Sequence, residues 1–569
     1  MHSIVRFTRR RIALPLLATL CLAAPSGIAA QPIPLVVGSP NVATADPLVP
    51  RPATAPCTVS LYSNVAFADF SPKPFAFTPP AACPGPWAKV VLEADFSVEA
   101  GRQFDRTAQI AIGHVNVYYG TTQEPSRTFG PSWHVERDVT DYSPLFASAQ
   151  TGEANLGNLV NPTFTSTITG SADLQFYPLA AHQAAPRTAD LVLPLATDPG
   201  GAKLLATTAD VLAPTFTLPR NVEGAFLDVV AQSQSSDEFW YTCVPDDQAG
   251  PLFSCPGTAF REAQVTIDGQ PAGVAPVYPW IFTGGIDPLL WRPIPGVQTL
   301  DFQPYRVDLT PFAGLLSNGS PHAVGVSVFN AHNYFLVAAT LLLDLDRGAA
   351  QVTGAVTRNT LAALPNPEID EDLTTAADGT ISGTIETTSE REWQISGFVD
   401  TSHGRVETTV EQSVDFSNRQ TFLVAANDFV QNIRQTTKIE SETKTRGRGT
   451  RTTERKLAFP LELDITFHVN PDGSSFQTTI VDQSFTDRDE SKGAGRPAES
   501  RVSNEMKAKD TLLISPAGAI TGSQDGASSQ SYLAKGSDGP CFSRTITAAA
   551  GLLTSVVDGA GCGGGHGDP

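Results

Sequence analysis

Apolar and polar residues alternate along most of the chain after Trp87. Segments such as AKVVLEADFSVEA and TAQIAIGHVNVYYG place apolar side chains at every second position, which is the period of a strand with one buried face. Gly and charged residues separate these segments, and the sequence IDGQ at 267–270 predicts a hairpin turn. The pattern therefore predicts an all-β protein.

The composition of the polar positions changes along the chain. Two β-rich stretches are separated by a segment around 180–220 that is rich in Ala, Pro and Thr. They predict two antiparallel jelly-roll or β-sandwich domains at 31–185 and 186–350. From 351 to 569, Thr, Ser, Glu and Arg fill the outer positions, which predicts a C-terminal antiparallel β domain.

Residues 1–30 have the pattern of a signal peptide. A basic start ends at Arg11, an apolar stretch follows, and small residues precede Gln31. We therefore expect a secreted or periplasmic protein. Six cysteines follow this segment, and an even number in an exported chain indicates disulfides. Local pairing gives the simplest connectivity, which joins Cys57 to Cys83, Cys243 to Cys255 and Cys541 to Cys562.

The charge balance and the missing motifs narrow the function. The 569 residues carry a net charge of −20, which disfavours nucleic acid and anionic membranes as partners and suits a neutral substrate. The sequence holds no HExxH, GxSxG, P-loop or dinucleotide fingerprint. We therefore expect neither a metal nor an organic cofactor, and the remaining candidate chemistry is that of carboxylates beside arginines and aromatic rings.

Two short clusters combine these residue types. In the first, Asp105 stands between Phe104 and Arg106, although an Asp-Arg dipeptide is more commonly an ion pair at a strand end. In the second, SSDEFWYTCVP, the residues Glu238 and Trp240 precede a cysteine. This loop could simply pack on a disulfide, but aromatic surroundings would also raise the pKa of Glu238, as an acid–base group requires.

The third cluster is the segment VYPWIFTGGIDPLLWRPIPG. Within a stretch interrupted by Gly and Pro, it contains the aromatic residues Tyr278, Trp280 and Trp291, together with Asp287 and Arg292. Aromatic side chains on such a rigid loop can stack on sugar rings, while core packing is the alternative for each ring. All three clusters precede residue 300, and together they favour a carbohydrate-related site.

Longer runs of sequence resemble a known enzyme family. The runs are GRQFDRTAQIAIGHVNVYYGTTQEP, WHVERDVTDYSPLF, DEFWYTCVP, FREAQVTIDGQPAGVAPVYPWIFTGGIDPLLWRPIPG and YRVDLTPFAGLL, within residues 85–346. In this order they resemble the peptide-N-glycosidase A family. The resemblance implies an amidase that cleaves the bond between Asn and the innermost N-acetylglucosamine of N-glycosylated peptides and glycoproteins, leaving Asp. We also expect a monomer.

A more distant similarity to peptide-N-glycosidase F, an enzyme of two jelly rolls, suggests roles for individual residues. Its principal catalytic Asp resembles Asp105, and its assisting Glu resembles Glu238. A third carboxylate of that enzyme has no counterpart at its matching position, and Glu124 is a candidate for it. Arg106 would hold Asp105 or the sugar.

The remaining candidates are assigned to substrate binding. Tyr278, Trp280 and Trp291 are expected to line the glycan cleft, and Trp240, Asp287 and Arg292 are expected to contact the substrate. Two other functions remain open from the residues alone. An endoglycosidase would also use two carboxylates, and a carbohydrate-binding protein without catalytic activity would use the same aromatic and polar side chains.

Overall fold

Antiparallel strands make up nearly all regular structure of the described residues, 34–493, 495–537 and 539–562 of the computed structural model. The prediction of an all-β protein is confirmed. The predicted signal peptide at 1–30 lies outside the described residues. The helices are short and comprise α1 (Asp246–Ala249), α2 (Ala313–Leu316) and the 3₁₀ helices Thr140–Ala147, Ser235–Asp237, Trp240–Thr242, Thr310–Phe312 and Ala560–Cys562. No helix in this part of the chain is long and apolar enough to cross a membrane.

The first eight strands form two four-stranded sheets, ordered β1-β8-β3-β6 and β2-β7-β4-β5. Both sheets contribute apolar side chains to one core, which contains Trp133, Tyr118 and Phe176. The strands are β1 (Cys57–Phe67), β2 (Lys73–Phe77), β3 (Trp87–Val98), β4 (Thr107–Ile112), β5 (Val115–Thr121), β6 (Ser132–Asp138), β7 (Gln150–Leu156) and β8 (Ile168–Pro178). This arrangement is a β-sandwich, because side chains from two sheet faces share one interior.

The next nine strands form a second pair of sheets, ordered β10-β17-β12-β15, with β9 beside β17, and β11-β16-β13-β14. The predicted hairpin at 267–270 is present, because Ile267 pairs with Gln270 and both Asp268 and Gly269 have positive φ, as a type I′ turn requires. The strands are β9 (Leu191–Pro194), β10 (Lys203–Leu205), β11 (Thr215–Thr217), β12 (Val222–Ser233), β13 (Glu262–Ile267), β14 (Gln270–Pro276), β15 (Tyr305–Asp308), β16 (Pro321–Phe329) and β17 (Phe335–Leu345).

The remaining strands form one twelve-stranded sheet. Buried and exposed residues alternate along β21, so one face is covered and the other is polar. The strands are β18 (Thr353–Asn359), β19 (Glu368–Thr375), β20 (Ile381–Thr401), β21 (Gly404–Val424), β22 (Asp428–Arg446), β23 (Thr450–Ala458), β24 (Leu461–Val469), β25 (Ser475–Gly493), β26 (Ala498–Ile514), β27 (Ile520–Gly536), β28 (Gly539–Ala549) and β29 (Leu552–Asp558). The domain bounds given above stay a prediction.

Glutamine and asparagine side chains on the covered face of this sheet hold two loops of the preceding sheets. Gln483 donates to the carbonyl of Pro279 at 2.7 Å and accepts from the N–H of Val297 at 3.0 Å. Asn418 donates to the carbonyl of Tyr241 at 2.9 Å. The loops at 277–300 and 234–260 are thus fixed by buried amides, which satisfy backbone groups that irregular structure leaves free.

Three disulfides lie in the described residues, and they join the predicted pairs. Cys57 is bonded to Cys83, Cys243 to Cys255, and Cys541 to Cys562. The second bond closes the loop that follows Glu238 in the sequence. It therefore restricts the backbone beside one of the candidate catalytic residues.

Candidate active site

Two carboxylates leave the same end of one hairpin. Strands β4 and β5 pair antiparallel with Thr107 opposite Thr121, so residues shortly before β4 and shortly after β5 are neighbours. Asp105 and Glu124 occupy these positions, and the N–H of Asp105 lies 3.4 Å from Oε1 of Glu124. The hairpin register thus brings together two acids that are nineteen residues apart in the sequence.

A glycine of the 277–300 loop closes against both acids. A Cβ atom added to Gly284 would collide with Oε1 of Glu124 and Oδ1 of Asp105. A side chain at this position would displace the carboxylates, which explains why the residue is a glycine. Asp105 remains partly accessible while Glu124 is 7% exposed, so Asp105 is the more open of the two, and we call the site around these acids the recess.

Glu238 is the third acid of this recess. It follows the 3₁₀ helix Ser235–Asp237, whose last residue is fully buried. Asp237 accepts hydrogen bonds from the backbone N–H groups of His332 at 3.0 Å, Asn333 at 2.7 Å and Tyr334 at 2.9 Å. It also pairs with Arg261 at 3.0 Å, with neither side chain exposed. The backbone beside Glu238 is therefore anchored at its preceding residue.

The electrostatics of the three acids are linked. Burial raises the pKa of Asp105 to about 6, against the opposing effects of backbone hydrogen bonds, including one from Gly284, and of the charge on Arg106. Burial and then the charge of Asp105 raise the pKa of Glu124 to about 8. The same two causes raise the pKa of Glu238 to about 8. Asp105 is therefore the first of the three to ionise, and the glutamic acids hold their protons beside it.

Two arginines flank the acids. A guanidinium nitrogen of Arg292 lies 3.7 Å from Oε2 of Glu124 and donates to the carbonyl of Pro125 at 3.0 Å. Arg106 donates to Gln103 at 2.9 Å and to Asn158 at 3.4 Å, so it contributes charge near Asp105 while its hydrogen bonds go elsewhere. The structure thus brings together the predicted residues Asp105, Arg106, Glu124, Glu238 and Arg292.

The predicted tryptophans do not face this recess. Trp291 is fully buried and donates through Nε1 to the carbonyl of Gly285 at 2.9 Å. Trp240 is 1% exposed and packs on Tyr241 and Phe416. Neither ring has a face available for a sugar, so the assignment of Trp291 to the glycan cleft and of Trp240 to substrate contact is corrected to core packing.

Tyr278, Trp280 and Asp287 also lie elsewhere. The two rings are 5% and 4% exposed, and both residues border a separate cavity that Phe459 and Phe485 also line. The ring of Trp280 packs on Phe302, with 4.4 Å between the centroids. Asp287 is fully buried and accepts from the N–H of Leu289 at 2.9 Å. Burial first and the nearby charge of Asp510 raise its pKa to about 7. The cleft-lining assignment of the rings and the substrate contact of Asp287 are therefore corrected.

The accessible rings near the acids belong to phenylalanines, of which Phe104 is exposed and Phe164 and Phe239 are half-buried. Phe104 is 47% exposed, and its ring centroid lies 5.1 Å from that of Phe164. Phe239 follows Glu238 and contacts the backbone region of Gly285. The adjacency of Phe104 to Asp105 and of Phe239 to Glu238 was a usable signal in the sequence. Phe164 carried none, because only the fold brings it there.

The described residues also contain a group that could hold a metal ion away from this recess, formed by Glu223, Asp346 and His403. The oxygens of Asp346 accept hydrogen bonds from the Ser402 hydroxyl at 2.7 Å and from the N–H of Gly348 at 2.9 Å. Those bonds hold two loops together, which is a sufficient role for this buried carboxylate.

Comparison with known proteins gives consistent results. A family model described as peptide N-acetyl-beta-D-glucosaminyl asparaginase amidase A matches residues 47–361. Peptide-N4-(N-acetyl-beta-glucosaminyl)asparagine amidase A of Prunus dulcis is 33% identical over 389 residues, which cover 64% of this chain and 67% of that protein.

Solved structures show weaker likenesses. PNGF-II matches with a TM-score of 0.35 and 12% identity, covering 51% of this chain and 65% of its own. PNGase F, a glycosylasparaginase from Flavobacterium meningosepticum, matches with a TM-score of 0.34 and 13% identity, covering 51% of this chain and 96% of its own. The chain thus spans about two thirds of PNGF-II and of the almond protein.

Proposed function

The chain belongs to the peptide N-acetyl-beta-D-glucosaminyl asparaginase amidase A family, and we propose that it hydrolyses the amide bond between asparagine and the innermost N-acetylglucosamine of N-glycosylated peptides and glycoproteins. The intact glycan leaves, and the peptide retains Asp in place of Asn. One observation supports this proposal: the N–H of Asp105 lies 3.4 Å from Oε1 of Glu124, with Gly284 against both carboxylates, and the charge of Asp105 also acts on Glu238. This grouping supplies a base and an acid at one site.

Asp105 acts as the general base. With a pKa of about 6, below those of its two neighbours, it is the carboxylate available to take a proton near neutral pH. A water molecule transfers this proton to Asp105 while its oxygen attacks the amide carbon. The proximity of Gly284 to both carboxylates limits the space and positions the attacking water beside Asp105.

Glu238 and Glu124 act in their protonated forms, Glu238 as the proton donor and Glu124 as a stabiliser of negative charge. As the tetrahedral intermediate collapses, the bond between the carbonyl carbon and the amide nitrogen breaks, and the nitrogen takes a proton from Glu238. The products are a carboxylic acid on the peptide and a glycosylamine, which balances the addition of one water. Protonated Glu124, together with Arg292 at 3.7 Å, is placed to stabilise the developing oxyanion.

The exposed rings contact the substrate. Phe104 precedes Asp105 and packs on Phe164 with 5.1 Å between ring centroids, and the guanidinium of Arg102 lies 5.4 Å from the ring centroid of Phe164. Aromatic faces at the edge of a polar recess suit the C–H faces of sugars. We assign them to the first N-acetylglucosamine or to the adjoining peptide.

The protein acts outside the reducing cytoplasm. Support comes from three disulfides in the described residues, because such bonds persist in exported proteins. The signal-peptide pattern at 1–30 agrees with this localisation.

Mass spectrometry of a glycopeptide after incubation tests the function. An amidase gives a deglycosylated peptide with the mass change from Asn to Asp. A peptide that keeps one N-acetylglucosamine would identify an endoglycosidase and overturn the proposal. Binding of the glycopeptide with no released product would identify a carbohydrate-binding protein instead. Arg405→Lys, at an exposed ion pair far from the recess in sequence, serves as the control for an active preparation.

A further inference from the structure

A second cavity of about 550 Å³ lies apart from the three acids. Its walls come from the segment 44–50, from β6, from the loop at 295–305 and from the strands of the twelve-stranded sheet. Asp105, Glu124 and Glu238 are not among its lining residues. We propose that this cavity is a second binding site for a neutral oligosaccharide, separate from the site of hydrolysis.

Aromatic rings form one part of the wall. Tyr305, Phe485 and Tyr532 are each partly exposed and line the cavity, next to the edges of Tyr278 and Trp280. Partly exposed rings around a concave space offer faces on which the C–H groups of a sugar can stack. The volume lies within the range of about 300–1,000 Å³ that is typical of small-molecule sites.

Fixed polar groups form another part of the wall. Arg455 makes two hydrogen bonds to Asp487, at 3.2 and 2.7 Å. Asn504 donates to Asp46 at 2.8 Å and accepts from Gln530 at 2.9 Å. These bonds hold planar donors and acceptors in place, so that adjacent hydroxyl groups of a ligand would meet prearranged partners.

Several polar atoms at this wall have no hydrogen-bond partner among the described residues. They include Nε1 of the buried Trp280, Nη1 of Arg137 and Oδ1 of Asp301. The last two atoms lie 3.6 Å apart, beyond hydrogen-bonding distance. Buried polar groups are normally paired, and these atoms are themselves buried, so they leave unused donors and an acceptor directly behind the cavity lining.

The charges at the wall select among ligand classes. Five lining residues are acidic, against two arginines and one histidine: Asp46, Glu136, Asp138, Asp301 and Asp487 face Arg137, Arg455 and His134. Glu136 and Asp138 are in turn paired with Arg51 at 2.7 Å and Lys89 at 2.6 Å, so the wall carries little net charge, which disfavours phosphates and other strongly charged ligands. The density of charged and amide groups disfavours a purely apolar ligand. A neutral molecule with many hydroxyl groups fits both conditions, and an oligosaccharide also uses the aromatic faces.

Calorimetric titration with tri-N-acetylchitotriose and with cellotriose tests the proposal. We expect binding to the wild type that Phe485→Ala weakens at least tenfold. The matched control is Phe476→Ala, because Phe476 lies on the same strand β25, is also partly exposed and does not line the cavity. Both variants should cleave a short glycopeptide at the wild-type rate, which separates this site from the recess.

A second measurement avoids reliance on a variant. In protein labelled with ¹⁵N-tryptophan, the indole N–H signal of Trp280, assigned by its loss in Trp280→Phe, should shift on titration with either sugar. An unchanged signal together with equal binding by the wild type and Phe485→Ala would show that the cavity holds only water, and would overturn the proposal. If a lysine-rich peptide displaced bound tri-N-acetylchitotriose and cellotriose did not, the proposal would also be overturned, in favour of a cationic ligand. Neither result would affect the amidase assignment.

Discussion

Acidic side chains occur both in the recess and on the exposed face of the twelve-stranded sheet, but their pKa values are shifted in opposite directions. In the recess, burial raises the pKa of Asp105, Glu124 and Glu238. On the sheet, Asp400 makes two hydrogen bonds to Arg405, at 2.7 and 2.9 Å, and these bonds lower its pKa. The difference comes from burial and hydrogen-bond geometry, because both regions have arginine close at hand.

Arg106 makes this contrast specific. It is adjacent to Asp105 in the sequence, as in an ordinary strand-end ion pair, yet its hydrogen bonds go to Gln103 and Asn158. Among the described residues, Asp105 forms no salt bridge with it. The acid therefore keeps an oxygen for a reacting water, whereas both oxygens of Asp400 are engaged. A carboxylate becomes available for catalysis here because its neighbouring arginine is held by other residues.

Replacement of the base gives the largest expected effect on this comparison. Asp105→Asn should lower kcat by about 10²–10⁴-fold, since the variant cannot accept the proton of the attacking water. Asp400→Asn, its counterpart on the sheet, should leave kcat unchanged. Release of labelled glycan from a glycopeptide measures both rates. Wild-type turnover by Asp105→Asn would show that another group activates the water.

The sequence predicted the strands and the candidate acids better than it predicted which aromatic rings are accessible near those acids. Alternation identifies a strand because it depends on neighbouring positions alone. Motif resemblance placed Asp105 and Glu238, and the register of β4 and β5 then brought Glu124 to them. Trp291 and Trp240 were misassigned because burial depends on the twelve-stranded sheet and on loops distant in the sequence. The contact of Phe164 with Phe104 could not be predicted for the same reason.

Removal of one charge from a buried ion pair should give the next largest effect, which is on the free energy of unfolding. Asp237→Asn leaves Arg261 charged and without its fully buried partner, which should lower the free energy of unfolding by about 3–5 kcal/mol. It should also loosen the backbone beside Glu238. On the sheet, Asp558→Asn removes a pair with Arg544 in which the acid is largely exposed, and the change should be small and salt-dependent. Urea unfolding of both variants measures the difference, and equal midpoints would contradict this account.

Added volume between the acids should have a smaller effect. Gly284→Ala places a methyl group against Glu124 and Asp105, so the two carboxylates must separate, and a misplacement of this kind costs about 10²-fold in kcat. Gly522→Ala is the matched change on the sheet, because no atom lies within 4 Å of its added Cβ. Steady-state kinetics should show a loss for the first variant only. Retention of wild-type kcat by Gly284→Ala would mean that the acids need not be this close.

The effect that is smallest per pH unit concerns the pH dependence of stability. Glu124 rises from an ordinary pKa of 4.5 to about 8, so between these values the folded protein holds a proton that the unfolded chain releases. Its contribution is therefore full below about 4.5 and is lost as the pH rises to about 8. Glu124→Gln should reduce this downward slope by at most about 1.4 kcal/mol per pH unit.

Asp558 behaves oppositely, because its hydrogen bonds with Arg544 lower its pKa. Its contribution is present above about 3.8 and is lost as acid protonates the group, so Asp558→Asn should flatten the pH dependence of stability only below that value. Urea unfolding at a series of pH values measures both slopes. An unchanged slope in Glu124→Gln would contradict a raised pKa of Glu124 in the recess.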